Sequence, residues 1–235
     1  MQRYYSPIWD NQQVFYLSEE ESRHCISIMR NQVGDRISIL DGKGNSILAE
    51  IISANPKKMG VKYIEHLISE VSPPYRNLHI AISPTKSNDR IEWFIEKACE
   101  IGVGQITPLI CKRTERSKVN LERWRKIVIA SCKQSSLHYF PEINEEIKLE
   151  KFIEKNKGKE AIYIASIESK QSLERAECTQ EIIILIGPEG DFSEEEFNII
   201  RSSNVKEISL SNHILRVETA GIVAVCQWNQ VNIKA

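Results

Sequence analysis

The residues whose types and spacing can do chemistry fall between positions 181 and 225, EIIILIGPEGDFSEEEFNIIRSSNVKEISLSNHILRVETAGIVAV. Two features stand out: a glycine-rich turn, Gly187-Pro188-Glu189-Gly190, and further on an arginine and a glutamate two positions apart, Arg216 and Glu218. The turn follows Ile182 to Ile186, a short β-branched run without alternation, as expected of a strand buried on both faces. Its glycines permit close backbone approach and Pro188 stiffens it. Ser193 and Glu196 form a capping box, and Glu194 and Glu195 place negative charge where a helix dipole favours it. The result is strand, glycine-rich loop and helix, and in α/β sheets ligands bind in such loops beyond the carboxyl ends of strands. This helix start is acidic, whereas a phosphate wants bare amides and basic residues there. Neither GxxxxGK[ST] nor GxGxxG occurs, which argues against a nucleoside triphosphate or a dinucleotide. The loop tolerates a cationic or zwitterionic ligand. On the loop alone, a plain tight turn with dipole-satisfying glutamates stays open.

The elements that must position this stretch are those of a folded chain of 235 residues, 41% hydrophobic and 27% charged, enough for a large domain or for a small and a medium one. The start, MQRYYSPIWDNQQ, lacks an apolar core, and no run approaches the ~20 residues of a membrane span, so neither signal peptide nor membrane contact is expected. The scattered cysteines, 25, 99, 111, 132, 178 and 226, lack CxxC spacing and are expected to be reduced thiols of a cytoplasmic protein. The histidines show no paired spacing, so no metal is expected. Net charge is −1 overall, yet residues 75–141 carry 12 basic and 6 acidic residues, a net +6. A basic middle in a neutral chain is an electrostatic footprint for nucleic acid, set against the plainer reading of solvated helix faces.

Residues 1–72 are expected to form a small β-barrel: strands at 14–17, 36–40, 47–52 and 61–67, a capped helix over 19–29, and a hairpin turn at Asp41-Gly42-Lys43-Gly44-Asn45. Pro73-Pro74 marks the linker. From 75 to 235 the pattern turns to βα alternation: strands at 78–82, 106–110, 161–165, 182–186 and 205–210, helices at 89–101, 120–135, 151–156 and 172–177, then the helix after Ser193 and a last apolar helix. Ile91, Phe94, Ile95, Ala98 and Ile101 share one face of the helix over 89–101. Five strands with intervening helices predict a mainly parallel, doubly wound α/β sheet.

GPEG with Phe192 and Ser193, followed by Leu210, Ile214-Leu215-Arg216 and Glu218-Thr219-Ala220, resembles the RsmE family. These SPOUT-class methyltransferases modify ring N3 of a uridine in small-subunit ribosomal RNA with S-adenosylmethionine. The likeness extends over nearly the whole chain. His24, Ile28-Met29-Arg30 and Gly34-Asp35 resemble an N-terminal element of the family, with Cys25 in place of its second histidine. Lys86, Arg90, Lys97 to Val103, Ile106 to Leu109, Gln134-Ser135 and Pro141 resemble others. Departures are Asp191 in place of a second glycine, Ser211 in place of a glycine, and Leu137 in place of an arginine.

The resemblance implies a SPOUT-type trefoil-knotted sheet over 75–235, behind a PUA-like RNA-binding barrel over 1–72. It implies a homodimer, with Ile222, Val223, Val225, Cys226 and Trp228 of the last helix offering an interface unless that face completes its own core. The partner implied is small-subunit ribosomal RNA, in the assembled subunit. Arg216 is then the cation that stabilises the anionic uracil, and Glu218 orients it or starts the last helix. Leu185, Gly187, Pro188, Glu189, Gly190, Leu210, Ile214, Leu215 and Thr219 are the implied cofactor-binding residues. Arg30, Lys86, Arg90, Arg113 and Arg116 are candidate RNA contacts. The alternatives are a non-catalytic RNA-binding protein on the same scaffold, told apart by failure to bind S-adenosylmethionine, and an unrelated nucleotide enzyme, which would need a phosphate loop.

Overall fold

The computed structural model describes residues 2–7, 9, 13–69, 72–159, 161–173 and 181–232. The chain divides into two compact units, Met1–Pro73 with Ile129–Phe140, and Pro74–Val128 with Pro141–Ala235.

The first unit contains β1 (Arg3–Tyr5), β2 (Val14–Tyr16), α1 (Glu19–Arg23), β3 (Arg36–Leu40), β4 (Asn45–Ser53) and β5 (Gly60–Ser69). The strands form one sheet in the order β1-β3-β4-β5-β2. Tyr4, Phe15, Leu17, Ile37, Ile39, Ile47 and Val61 are among its buried core residues. The β3–β4 turn forms where Gly42 and Gly44 supply positive φ, +72° and +102°. Asp41 Oδ1 accepts from the Lys43 and Asn45 amides at 2.6 and 3.0 Å. A Cβ on Gly44 would collide with the Tyr139 ring, which shows how closely residues 129–140 pack on this turn. The helix expected over 19–29 is α-helical only to Arg23 and continues as a π-helical turn, His24–Ile28. It closes in a left-handed residue, Arg30 (φ +59°), with the Asn31 amide donating back to the Cys25 carbonyl.

The second unit contains β6 (Leu78–Ile82), α2 (Asn88–Ile101), β7 (Gln105–Ile110), α3 (Leu121–Ser135, whose last turns belong to the first unit), β8 (Glu142–Ile143), β9 (Ile147–Lys148), α4 (Leu149–Lys155), β10 (Ile162–Ala165), β11 (Ile182–Ile186), α5 (Glu194–Arg201), β12 (Val205–Ile208) and α6 (Val217–Asn232). The sheet order is β12-β10-β11-β6-β7-β8, with β9 also on β7. Every pairing in it is parallel. β6 and β11 lie side by side at its centre and are buried along their whole length, as their unalternating apolar sequences require. Among the described residues the expected five strands are therefore seven, because β8 and β9 are two-residue strands too short to leave a periodic signal. The helix expected over 172–177 falls mostly outside the described residues, as does Cys178; Ser172 and Leu173 are not helical. On α2, Ile91, Phe94, Ile95 and Ala98 are buried as expected, but Ile101 is 36% exposed because it lies at the helix end, where Gly102 turns the chain with φ +110°.

The helix α6 packs against α2, β6 and β11. Gly221 permits this: a Cβ there would come within 2.5 Å of the Phe94 ring and 2.9 Å of Ile82. Asn229 Nδ2 donates to the Gly102 carbonyl at 2.8 Å, satisfying the end of α2. The apolar face assigned to an interface is therefore divided. Val225 and Trp228 are fully buried in this chain's own core, Ile222 and Val223 are half-buried, and Cys226 is exposed.

At the amino end of the sheet, His79 Nε2 lies 2.6 Å from Thr107 Oγ1, which accepts from Asn144 Nδ2 at 2.9 Å. Glu181 faces the other side of that ring at 3.8 Å and accepts from Lys159 Nζ at 2.8 Å. The His79 ring first, then Lys159, holds the Glu181 carboxyl down from 4.5 to about 2. A lowered carboxylate stabilises the fold above its unfolded pKa, and that contribution is lost as pH falls from 4.5 through about 2. Glu181→Gln should destabilise the protein at pH 7 by under about 1 kcal/mol for this partly exposed pair, read as a lower melting temperature, and the gap from wild type should close as pH falls towards 2. A gap constant with pH would remove this role.

Candidate functional site

The carboxyl ends of the parallel strands gather five loops at one edge of the second unit, and long-range polar contacts fix them. The Ser83 amide, just past β6, donates to the Ile186 carbonyl of β11 at 2.9 Å. Ser83 Oγ lies 2.8 Å from Thr114 Oγ1, which accepts from the Cys111 amide at 2.9 Å. Beyond β10 and β12, the Ser166 amide donates to the Ile208 carbonyl at 2.9 Å and the Ser209 amide to the Gln171 carbonyl at 2.7 Å.

The GPEG turn is held from both sides. Pro188 is buried, and its carbonyl accepts from the Asp191 amide at 2.9 Å. A Cβ on Gly187 would come within 2.7 Å of the buried Phe192 ring, so only glycine lets the turn close on it. Asp191 adopts φ +60°. It tolerates that left-handed backbone because Oδ1 accepts from the Phe192 amide at 2.8 Å. The departure from glycine at 191 therefore preserves the backbone shape a glycine would give. Arg113 reaches across to donate to the Gly190 carbonyl at 2.6 Å, and the Glu189 carboxylate accepts from the Lys86 amide at 3.2 Å. The capping box at Ser193 is present. Its Glu196 is fully buried and also accepts from the Lys112 amide at 2.8 Å.

Arg216 stands at the start of α6, exposed and with no side-chain partner among the described residues. The ion pair of Arg216 with Glu218, the plainer role for that arginine, is not what forms. Glu218 is buried, 7% exposed, and faces Arg90 Nε at 3.8 Å, while its Oε2 has no hydrogen-bond partner among the described residues. Leu185 is fully buried in β11, Leu210 is buried, and Leu215 and Thr219 are half-buried. Ile214 is 87% exposed, an apolar side chain open to whatever ligand the loop takes. Gln227 of α6 donates to the Leu210 carbonyl at 3.1 Å and ties this last loop to the helix.

The candidate RNA contacts fall into two groups. Arg90 and Arg113 are exposed but engage the protein itself, at Glu218 and at the GPEG turn. Lys86 is exposed and pairs with Glu115 at 3.0 Å. Arg116 is exposed and donates to Asn88. Arg30 is exposed, in the first unit. Much of the remaining charge of the basic middle is paired on the surface: Arg123 with Glu92, Arg125 with Glu145 and Lys112 with Glu195. Sequence reasoning missed the bracing role of Arg113 and the second carboxylate contact of Glu196, since both join positions far apart in the chain. Asp191 carried a signal, an aspartate directly after a Gly-rich turn, where αL is tolerated.

A family model described as an RNA methyltransferase domain matches residues 72–229, and one described as an RNA methyltransferase PUA domain matches residues 17–62. Ribosomal RNA small subunit methyltransferase E of Rickettsia conorii is 28% identical over 227 residues, 94% of this chain and 91% of its own. The crystal structure of a ribosomal RNA small subunit methyltransferase E from Neisseria gonorrhoeae, bound to S-adenosylmethionine, superposes with a TM-score of 0.88 at 26% identity, covering 98% of both chains. That of a probable rRNA-methyltransferase from Porphyromonas gingivalis gives 0.84 at 32% identity, again over 98% of both chains.

Arg90→Ala should destabilise the protein by about 1–3 kcal/mol, because Glu218 is left buried without its one charged partner among the described residues. Arg216→Ala should change stability by no more than about 0.5 kcal/mol, as is usual for an exposed side chain without contacts. Urea unfolding of both variants checks the contrast. Equal effects would mean that Glu218 answers to Arg216 after all.

Proposed function

The chain belongs to the RNA methyltransferase family, and from that premise we propose that it methylates ring N3 of a uridine in small-subunit ribosomal RNA, using S-adenosylmethionine. The observation that carries the reading is the division of charge at the start of α6: Glu218 is held by Arg90, and Arg216 is exposed with no carboxylate partner among the described residues.

The residues present fit the cofactor. The GPEG turn offers backbone groups and the exposed Glu189 and Asp191 carboxylates, suited to a ligand with an ammonium and a sulfonium charge. Leu210, Leu215 and the exposed Ile214 supply apolar contact for an adenine ring. When bound, S-adenosylmethionine provides an electrophilic methyl group on sulfur. The protein's own part is to hold the turn rigid through Arg113 and Glu196, to keep Arg216 facing the acceptor ring, and to exclude water with the apolar loop. The ring is anionic once N3 gives up its proton and is neutral again when N3 carries the methyl and the sulfur has left as a neutral thioether; a fixed guanidinium at the carbonyl oxygens would stabilise the anion on the way. The ring must present its edge, so the target base is unpaired or flipped out.

Further parts of the reading follow the same premise. Residues 75–235 are then a trefoil-knotted SPOUT domain, a reading supported by the all-parallel sheet and by the return of α6 over β6 and β11. The five-stranded sheet of residues 1–72 is a PUA-like barrel that binds RNA, with Arg30 a phosphate contact there and Lys86 and Arg116 phosphate contacts of the second unit. The protein works in the cytoplasm on the assembled small subunit, as a homodimer that uses the half-buried Ile222 and Val223.

Wild type incubated with S-adenosylmethionine and either intact small subunits or naked RNA should produce one uridine-specific reverse-transcription stop. Arg216→Ala should still bind cofactor and lose about 10²–10³ in rate; Arg216→Lys should recover little, lacking the planar fork. Arg113→Ala should weaken cofactor affinity severalfold through a loosened turn. No stop on either substrate overturns the N3 assignment. Full activity of Arg216→Ala overturns the site assignment alone.

A further inference from the structure

We propose that a cavity of about 790 Å³ in the first unit is a binding site for one unpaired RNA nucleotide, gripped chiefly by its base. This rests on RNA being the partner, as proposed above, and concerns a nucleotide other than the methylated one. One wall is α1 and the start of the π-helical turn; the other is the end of α3, at Ala130, Lys133 and Gln134. The volume is in the range of small-ligand sites, about 300–1,000 Å³. Wide turns of this π type occur often at functional sites.

The lining selects the ligand. His24 opens the π turn and lines the cavity, and its Nδ1 is buried with no hydrogen-bond partner among the described residues. A buried polar atom without a partner is costly unless a ligand or water supplies one. Lys133, the cation of the α3 wall, is already neutralised by the buried Glu21 at 2.6 Å. The remaining charges balance, with Arg3 and Arg23 set against Glu19 and Glu20. A site for phosphate alone would carry an excess of cations. A base carries donors and acceptors on its edge and an apolar face, and the cavity answers each. The Gln134 amide and His24 offer both hydrogen-bonding senses, the Glu19 carboxylate accepts from an exocyclic amino group, and Ile28, 64% exposed, offers apolar contact. Arg3 and Arg23 remain for the flanking phosphates. The carboxylates favour an edge that bears an exocyclic amino donor over that of uracil, whose one donor is the ring N3–H, so the base is one that bears an amino group.

The test is filter binding of the full-length protein to small subunits reconstituted from unmodified transcribed RNA, with wild type, His24→Ala, Gln134→Ala and the double variant. The double variant should bind about tenfold more weakly, with its affinity for S-adenosylmethionine by calorimetry and its melting temperature unchanged. Unchanged subunit affinity in the double variant overturns the proposal. Should the double variant melt lower, Gln134→Ala alone, altering an exposed side chain, should still cost about threefold, and no loss there overturns it equally. Wild type should also bind hexacytidylate more tightly than hexauridylate, and equal binding overturns the assignment to an amino-bearing base. Loss of binding in the double variant, with no methylation by wild type, would sink the proposed reaction and leave this site standing.

Discussion

The parallel pairing of β6 with β11 is the constraint on which the candidate site depends. It sets Leu78–Ile82 beside Ile182–Ile186 in a single register, joining residues more than a hundred positions apart. Because both strands are buried on both faces, apolar alternation does little to fix their register, and His79 is the polar side chain that a slip of β6 would strand. The register is pinned also at the strand end, where the Ser83 amide donates to the Ile186 carbonyl, and by the shape of what packs above. Gly221 has no room for a Cβ between Phe94 and Ile82, so α6 can sit on this pair of strands only at one height. That height places Val217 and Glu218 over the start of α2, and with them Arg216 at the loop edge.

A turn as small as GPEG has little apolar surface of its own to bury, and its order comes from polar contacts made by distant residues. Glu196 shows how. Its carboxylate closes the capping box at Ser193 with one oxygen and takes the Lys112 amide with the other. One fully buried side chain thus joins the helix start to the loop after β7, and a buried carboxylate that accepts from two amides is satisfied where a lone one would be costly. Arg113 adds a charge-assisted bond to the Gly190 carbonyl from the same loop. The loops are held as a set because each is the other's hydrogen-bond partner.

These long-range contacts also mark what the sequence could and could not disclose. The strand–loop–helix at 182–201, the fully buried strands and the hairpin at Asp41 were legible, because each is written in adjacent residues: β-branched runs, a capping box, glycines at positive φ. Most element ends were legible for the same reason. The two-residue strands β8 and β9 were not, since they exist only because β7 offers them an edge. The π-helical turn at His24–Ile28 replaced the second half of a well-capped helix, and propensity does not distinguish the two. At the site, the glycine turn and the Arg216–Glu218 pair were visible as types and spacing, but the partnership between them was not. Nearness in sequence favours Arg216 for Glu218, yet at the first turn of α6 the burial of Glu218 turns its carboxylate toward α2, where Arg90 waits.

That choice of partner explains a further feature of the charge distribution. An arginine that must meet an anionic ring is useful only if the protein does not neutralise it first. Around the loop edge most cations are engaged: Lys86 by Glu115, Arg90 by Glu218, Arg113 by backbone carbonyls, Lys112 by Glu195. The exposed pairs among these are weak and screened by salt, so a polyanion can displace the carboxylates and take the cations at small cost. The buried Glu218 is different in kind. Its charge is out of water, it cannot be exchanged without stranding it, and by holding Arg90 it leaves Arg216 as an arginine at this edge with no carboxylate to surrender. The surface cations can therefore be released to a polyanion, while on the proposed reading Arg216 stays available for the acceptor ring.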